Sequence, residues 1–258
     1  MIDLSRKRLF LFDLDGVLLK GKESPVKIGG TMMFEKIRSQ GKKLRIVTNN
    51  STDSVRTVLK RLRSQGIQVG REEVLTSARA TAEHVAETYG RARYFLVGEA
   101  GLQEELDSLG LRRTYGIGAE VVVIGLDRKL TYAKLDRAVL AARRGAPIVA
   151  CHSASLYMSR KGPAITVGPL LKAVEYGSGK KGYSVGKPSA HMFEVAMRQA
   201  GCGRDETVMI GDQEDTDIAG ARRAGIDSVL VLTGVHDGKS KTRATWVVES
   251  VDALADLI

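Results

Sequence analysis

The chain has 258 residues, 43% hydrophobic and 27% charged, a globular composition with length enough for one large core or two modest ones. No apolar run approaches a membrane span and no secretion-like apolar centre follows the N-terminus, so a cytoplasmic protein without a membrane partner is expected. The formal charge of +10 is scattered through helical patterns such as 58–63, and aromatics (5%) do not interleave with the basic runs; this favours a solvated surface that attracts small anions over a nucleic-acid partner.

The first informative stretch is Leu9-Phe-Leu-Phe-Asp-Leu-Asp-Gly-Val17. Four apolar residues after Arg6, Lys7 and Arg8 read as a strand buried on both faces, with two carboxylates where it should end. The two-residue period of an extended chain aims Asp13 and Asp15 to one side, and Gly16 allows a sharp turn. Two such acids fit a hard divalent ion such as Mg²⁺, and an acidic turn equally well. The spacing over 29–40 predicts a helix with Met32, Met33, Phe34 and Ile37 on its buried side, ended by Gly41. Residues 44–47 read as a second buried strand, ending in Thr48-Asn49-Asn50-Ser51. Thr52, Asp53 and Ser54 then precede a helix over 55–65; the run serves as a helix cap or as an anion site.

A short strand is expected at 74–76 and a helix at 78–89, after which the alternation restarts: strand 94–97, helix 102–109, strand 121–125, helix 132–144, strand 148–150. Residues 163–168 read as a loop, 170–176 as a helix, and 177–182 as a flexible hinge. These pieces form an α/β layer of their own, so an inserted domain is drawn at 80–182, with 1–79 and 183–258 as the core domain. The first alternation resumes with Gly186-Lys187-Pro188, a helix over 190–200, and a strand over 207–210. That strand ends in Gly211-Asp212-Gln213-Glu214-Asp215-Thr216-Asp217. A helix to Ala224, strands at 228–232 and 246–248, and a closing helix from Val251 complete the chain. Cys151 and Cys202 are single and far apart, which suits small buried hydrophobes better than a zinc site or a disulfide framework.

Four strand ends thus carry, in order, two acids, a Thr/Asn cluster, a lysine in a tight loop and a second acidic cluster. Those are the parts of a phosphoryl-transfer site, where a metal would lie between Asp13 and Asp212, Lys187 would be the fixed cation, and Thr48 and Asn50 the neutral donors.

In these four motifs the chain resembles the haloacid dehalogenase superfamily. It is similar in particular to the branch of NagD-like phosphatases, para-nitrophenylphosphatases and phosphoglycolate phosphatases, whose pattern also matches Gly125 to Tyr132 and Leu230 to Val235. The resemblance implies a Rossmann-like doubly wound parallel sheet core with an inserted α/β cap domain, and a Mg²⁺-dependent phosphatase of a small phosphorylated metabolite. It implies Asp13 as nucleophile and Asp15 as general acid and base. It also implies metal ligation by Asp13, the backbone carbonyl of Asp15 and Asp212, support from Asp217, phosphate binding by Thr48, Asn50 and Lys187, and a cap able to pair subunits.

The chain departs from the family after 148–150, where Cys151-His152-Ser153-Ala154-Ser155 replaces the usual Thr-Asn-x-Asp-like segment, and where Pro-Gly-x-Gly is reduced to Val167-Gly168-Pro169. His152 and Ser153 are candidates for reading the leaving group, with a structural role for His152 the plainer alternative. A phosphotransferase or phosphomutase on the same scaffold would keep Asp13 and Asp15, whereas a non-catalytic binding protein would be expected to lose one of them.

Overall fold

A computed structural model describes residues 3–21, 25–159, 161–234 and 243–258. The chain divides into two compact units: Met1–Thr48, Val58–Leu75 and Lys187–Ile258 make the first, Asn49–Thr57 and Thr76–Gly186 the second.

In the first unit the strand Leu9–Phe12 is buried at all four positions, as a strand covered on both faces of a parallel sheet must be. It lies within a six-stranded sheet in the order Trp246–Val248, Asp227–Val231, Thr207–Gly211, Leu9–Phe12, Lys43–Thr48, Val74–Thr76. The pairing is parallel on both sides of it, with Phe12 opposite Ile210 and Ile46. Later strands are laid down outward in both directions from Leu9–Phe12, so the topology switches beside it. Ligands of doubly wound sheets collect at that place, outside the carboxyl ends of the strands. Asp13 and Asp212 are the first residues beyond the two strands that meet there.

The helix Thr31–Ser39 buries Met33, Phe34 and Ile37, and Phe34 meets Phe12 edge-on with ring centroids 5.0 Å apart. Met32, expected on the buried side, is exposed instead: at about 100° per residue it lies roughly 150° round the helix from that stripe. A hairpin of two-residue strands, Leu19–Lys20 and Val26–Lys27, follows the Asp15–Gly16 loop and had no periodicity long enough to reveal it. After Asp212 the expected single helix is a wide π turn, Glu214–Ile218, continued by the α-helix Ala219–Ala224. The closing helix is the 3₁₀ segment Asp252–Leu257.

The second unit holds a five-stranded parallel sheet in the order Tyr183–Ser184, Ile148–Ala150, Val121–Ile124, Arg93–Val97, Arg112–Thr114. Phe95, Val97, Val122, Ile124, Ala138 and Leu171 are among the residues of its core. Two expectations fail here. The loop drawn at 163–168 is half of an antiparallel hairpin, Leu156–Ser159 with Gly162–Ile165, and the next helix begins at Val167 with Gly168 and Pro169 in its first turn, the one helical position where proline costs no hydrogen bond. The hinge drawn at 177–182 is not free: Gly177 and Ser178 finish that helix, Gly179 caps it at φ +72°, and the Gly182 amide donates to Glu175 Oε1 at 2.9 Å. Cys151 is fully buried as expected, whereas Cys202 is only partly covered. Val235, which closed one stretch of the family resemblance, lies outside the described residues.

Candidate active site

The Asp13 amide donates to Ile210 O at 2.9 Å, which extends the parallel ladder one residue past the strand and fixes the carboxylate over the sheet edge. Leu14, fully buried, points the other way, and Asp15 returns to the open side with a side chain 44% exposed. Gly16 turns the chain at φ +92°, and its amide closes a tight loop onto Leu19 O at 2.7 Å. A Cβ on Gly16 would fall on the Asp212 carboxylate, and so would one on Gly234. Asp212 is therefore packed between two backbones that only glycine allows to come so close. Thr233 ties the two together, its hydroxyl donating to Gly16 O at 2.6 Å.

Lys187 is 1% exposed, and its ammonium lies 2.8 Å from Asp13 Oδ1 and 2.6 Å from Asp217 Oδ1. Burial by itself would favour the neutral amine, but Asp13 and Asp217 more than reverse this and hold the lysine above its ordinary pKa. Burial pushes Asp217 up to about 6, opposed by Lys187 and reinforced by the charge of Asp13. Asp217 uses both its oxygens, Oδ1 toward Lys187 and Oδ2 accepting from the Gln213 amide at 3.1 Å. The wide turn that begins at Glu214 brings Asp217 back alongside Asp212, and the absence of a side chain on Gly211 makes room for it.

Asp13, Asp212 and Asp217 each bring one carboxylate oxygen within 4.8 Å of the others, all three residues buried. Three carboxylates against the ammonium of Lys187 leave surplus negative charge in a dry site, and an all-oxygen donor set suits a hard divalent ion. With Asp217 committed to Lys187 and Gln213, Asp13 and Asp212 are the better placed to share such an ion. Thr48, 2% exposed, closes the strand beside Leu9–Phe12.

The remaining expected site residues, Asn50, His152 and Ser153, belong to the second unit. Asn50 shapes its own loop there: Oδ1 accepts from the Thr52 and Asp53 amides at 3.0 and 2.9 Å, and Nδ2 donates to Asp53 Oδ2 at 2.8 Å. His152 is buried and Ser153 exposed.

Sequence reasoning gave no role to four residues. Thr233 and Gly234 follow a strand end and lie within the Leu230 to Val235 stretch of the family resemblance, which gave them no individual role. Arg61, whose guanidinium lies 3.6 Å from Asp15, looks like any other basic residue of its helix. Glu105, 3% exposed, accepts from the Val55 amide at 2.7 Å and so caps the helix Val55–Ser64; its position on the stripe of Leu102 and Leu106 was a readable sign of burial.

Residues 10–112 match the family model of haloacid dehalogenase-like hydrolases, and 184–254 a second model described as HAD-hydrolase-like. The 5′-nucleotidase YutF of Bacillus subtilis is 34% identical over 94% of this chain and 95% of its own length. An acid sugar phosphatase of Staphylococcus epidermidis is 34% identical over 88% and 86%. Among solved structures, the p-nitrophenyl phosphatase from Archaeoglobus fulgidus superposes with a TM-score of 0.91 at 32% identity, covering 98% of this chain and 99% of that one. The 4-nitrophenylphosphatase from Thermotoga maritima does so with 0.90 at 30% identity and 98% of both. Four motifs in family order, matching models at both ends and full-length relatives agree, and the chain belongs to the haloacid dehalogenase-like hydrolases, among their NagD-like phosphoric monoester hydrolases.

Proposed function

We propose that the protein is a Mg²⁺-dependent phosphatase of a small phosphorylated metabolite and that it works through an aspartyl-phosphate on Asp13. The observation that carries this reading is the buried Asp13–Lys187–Asp217 bridge beside Asp212, at the switch point of a parallel sheet. A carboxylate whose other oxygen is held by a fixed cation is aimed, as a nucleophile must be.

An oxygen of Asp13 attacks phosphorus and the ester P–O bond breaks, while Asp15 gives its proton to the departing alkoxide. Asp15, now a carboxylate, takes a proton from water as that water attacks phosphorus, and inorganic phosphate leaves with Asp13 restored. Lys187 offsets the charge drawn to Asp13, and Thr48 and Asn50 are the candidate donors to phosphoryl oxygens. Asp13, Asp212 and the backbone carbonyl of Asp15 would hold Mg²⁺, which when bound neutralises charge on the phosphoryl group, with Asp217 supporting from behind Lys187.

The relatives named for nucleotides, sugar phosphates and p-nitrophenyl phosphate support a monoester as substrate, with phosphoglycolate, glycerol phosphate and nucleoside monophosphates as natural candidates. Substrate choice is assigned to segment 80–182 as a cap, where Cys151 to Ser155 replaces the usual family residues.

Phosphate release from these esters, with Mg²⁺ and with chelator, tests the reading. We expect metal-dependent release by the wild type and a loss of at least about a thousandfold in Asp13→Asn, in keeping with removal of a nucleophile. Near-normal turnover by that variant would refute it.

A further inference from the structure

We propose that Arg61 positions Asp15 for proton transfer, an inference that rests on the acid and base role given to Asp15 above. The helix Val55–Ser64 carries four basic residues, Arg56, Lys60, Arg61 and Arg63. Three behave as surface residues: Lys60 and Arg63 are exposed, and the Arg56 side chain is 67% exposed. Arg61 differs, with 11% of its side chain exposed and Nη2 3.6 Å from Asp15 Oδ1. Drawing a guanidinium out of water is costly unless a carboxylate faces it, so the withdrawn Arg61 and the acid it faces form a unit.

The other carboxylates of the site have different anchors. Asp13 and Asp217 are held by Lys187, and Asp212 lies between Gly16 and Gly234. Asp15 is the most open of the four, and its backbone is fixed by the Gly16–Leu19 turn while its carboxylate reaches past that turn. A group that must meet a leaving oxygen in one step and a water in the next needs a preferred direction without being locked. A guanidinium at 3.6 Å, longer than a hydrogen bond, supplies such a direction. Arg61 acts through Asp15 and is a positioning residue.

The test uses two esters that differ in their need for an acid. Glycerol phosphate expels an alkoxide and requires the proton from Asp15, whereas p-nitrophenyl phosphate expels a stable anion and does not. The value of kcat/KM covers steps through enzyme phosphorylation, so Arg61→Met should lower it about tenfold or more for glycerol phosphate and less than about threefold for p-nitrophenyl phosphate, a share of what general acid catalysis supplies. With p-nitrophenyl phosphate, kcat should fall because water attack still needs Asp15, and a burst of nitrophenolate close to one per enzyme should precede the slow phase. Arg61→Lys should recover most of the loss.

Equal falls for both esters in Arg61→Met, or wild-type values throughout, would overturn the proposal; so would an Arg61→Lys variant no better than Arg61→Met. Asp15→Asn separates the two levels of the argument. If it lacks the leaving-group contrast, the acid and base reading of Asp15 fails; if it has the contrast and Arg61→Met does not, the role of Arg61 alone is refuted.

Discussion

Replacing Lys187 by methionine removes one charge from the least accessible ionic cluster of the first unit while keeping most of the side-chain volume. The ammonium bridges Asp13 Oδ1 at 2.8 Å and Asp217 Oδ1 at 2.6 Å, and the two acids are 5% and 0% exposed. Breaking a buried pair costs about 3–5 kcal/mol because the remaining charge keeps its desolvation penalty without its partner. Two carboxylates are stranded here, so the upper part of that range applies, against a total stability of about 5–15 kcal/mol for a typical domain. The deficit should depend on pH in one direction. Asp217 already stands at about 6 when folded, above its ordinary carboxylate value, and loss of the facing cation raises it further. A carboxyl whose folded pKa exceeds its unfolded value binds protons preferentially when folded, so stability is regained as the pH falls through the folded pKa and is missing above it. Lys187→Met should therefore fall furthest below wild type near pH 8 and recover much of the difference by pH 5. Trp246, the chain's single tryptophan, sits in the first unit and reports its unfolding in urea by fluorescence, with chelator present throughout. A variant within about 1 kcal/mol of wild type at pH 8, or a deficit unchanged between the two pH values, would refute the reasoning.

Two further outcomes follow from local geometry. Gly234→Ala places a Cβ on the Asp212 carboxylate, so the Mg²⁺ concentration for half-maximal activity should rise by about tenfold or more, at an overpacking cost of about 1–3 kcal/mol in stability; unchanged metal activation would count against Asp212 as a ligand. Burial pushes the Cys151 thiol up to about 12, whereas Cys202 is partly exposed. A thiol reagent at pH 8 should therefore titrate one cysteine in the native protein and two in denaturant, and two fast-reacting thiols in the native state would contradict the packing around Cys151.

The sequence by itself determined the alternation of strands and helices, because a buried parallel strand such as Leu9–Phe12 must be apolar on both faces and the helices between must keep their stripes. It also determined the chemistry at each strand end, since Asp13, Thr48, Lys187 and Asp212 each follow a legible apolar run or tight loop. Short elements escaped it: two-residue strands and the hairpin Leu156–Ser159 with Gly162–Ile165 are too brief for a period to show, and Pro163 reads as a loop signal although it sits on an exposed strand. Met32 was misjudged because a run of three apolar residues does not say which one the helix turns away.

What only the tertiary structure decided is which groups meet. Arg61 and Arg63 are alike in sequence, yet one is drawn in toward an acid 46 residues earlier in the chain and the other is left in water. Nothing near Asp212 in sequence foretells that Gly16 and Gly234 pack against it, and nothing near Lys187 foretells its bridge from Asp13 to Asp217. Periodicity and propensity are properties of neighbours along the chain. Desolvation and charge pairing belong to neighbours in space, and they become fixed only when the sheet brings distant strand ends to one edge.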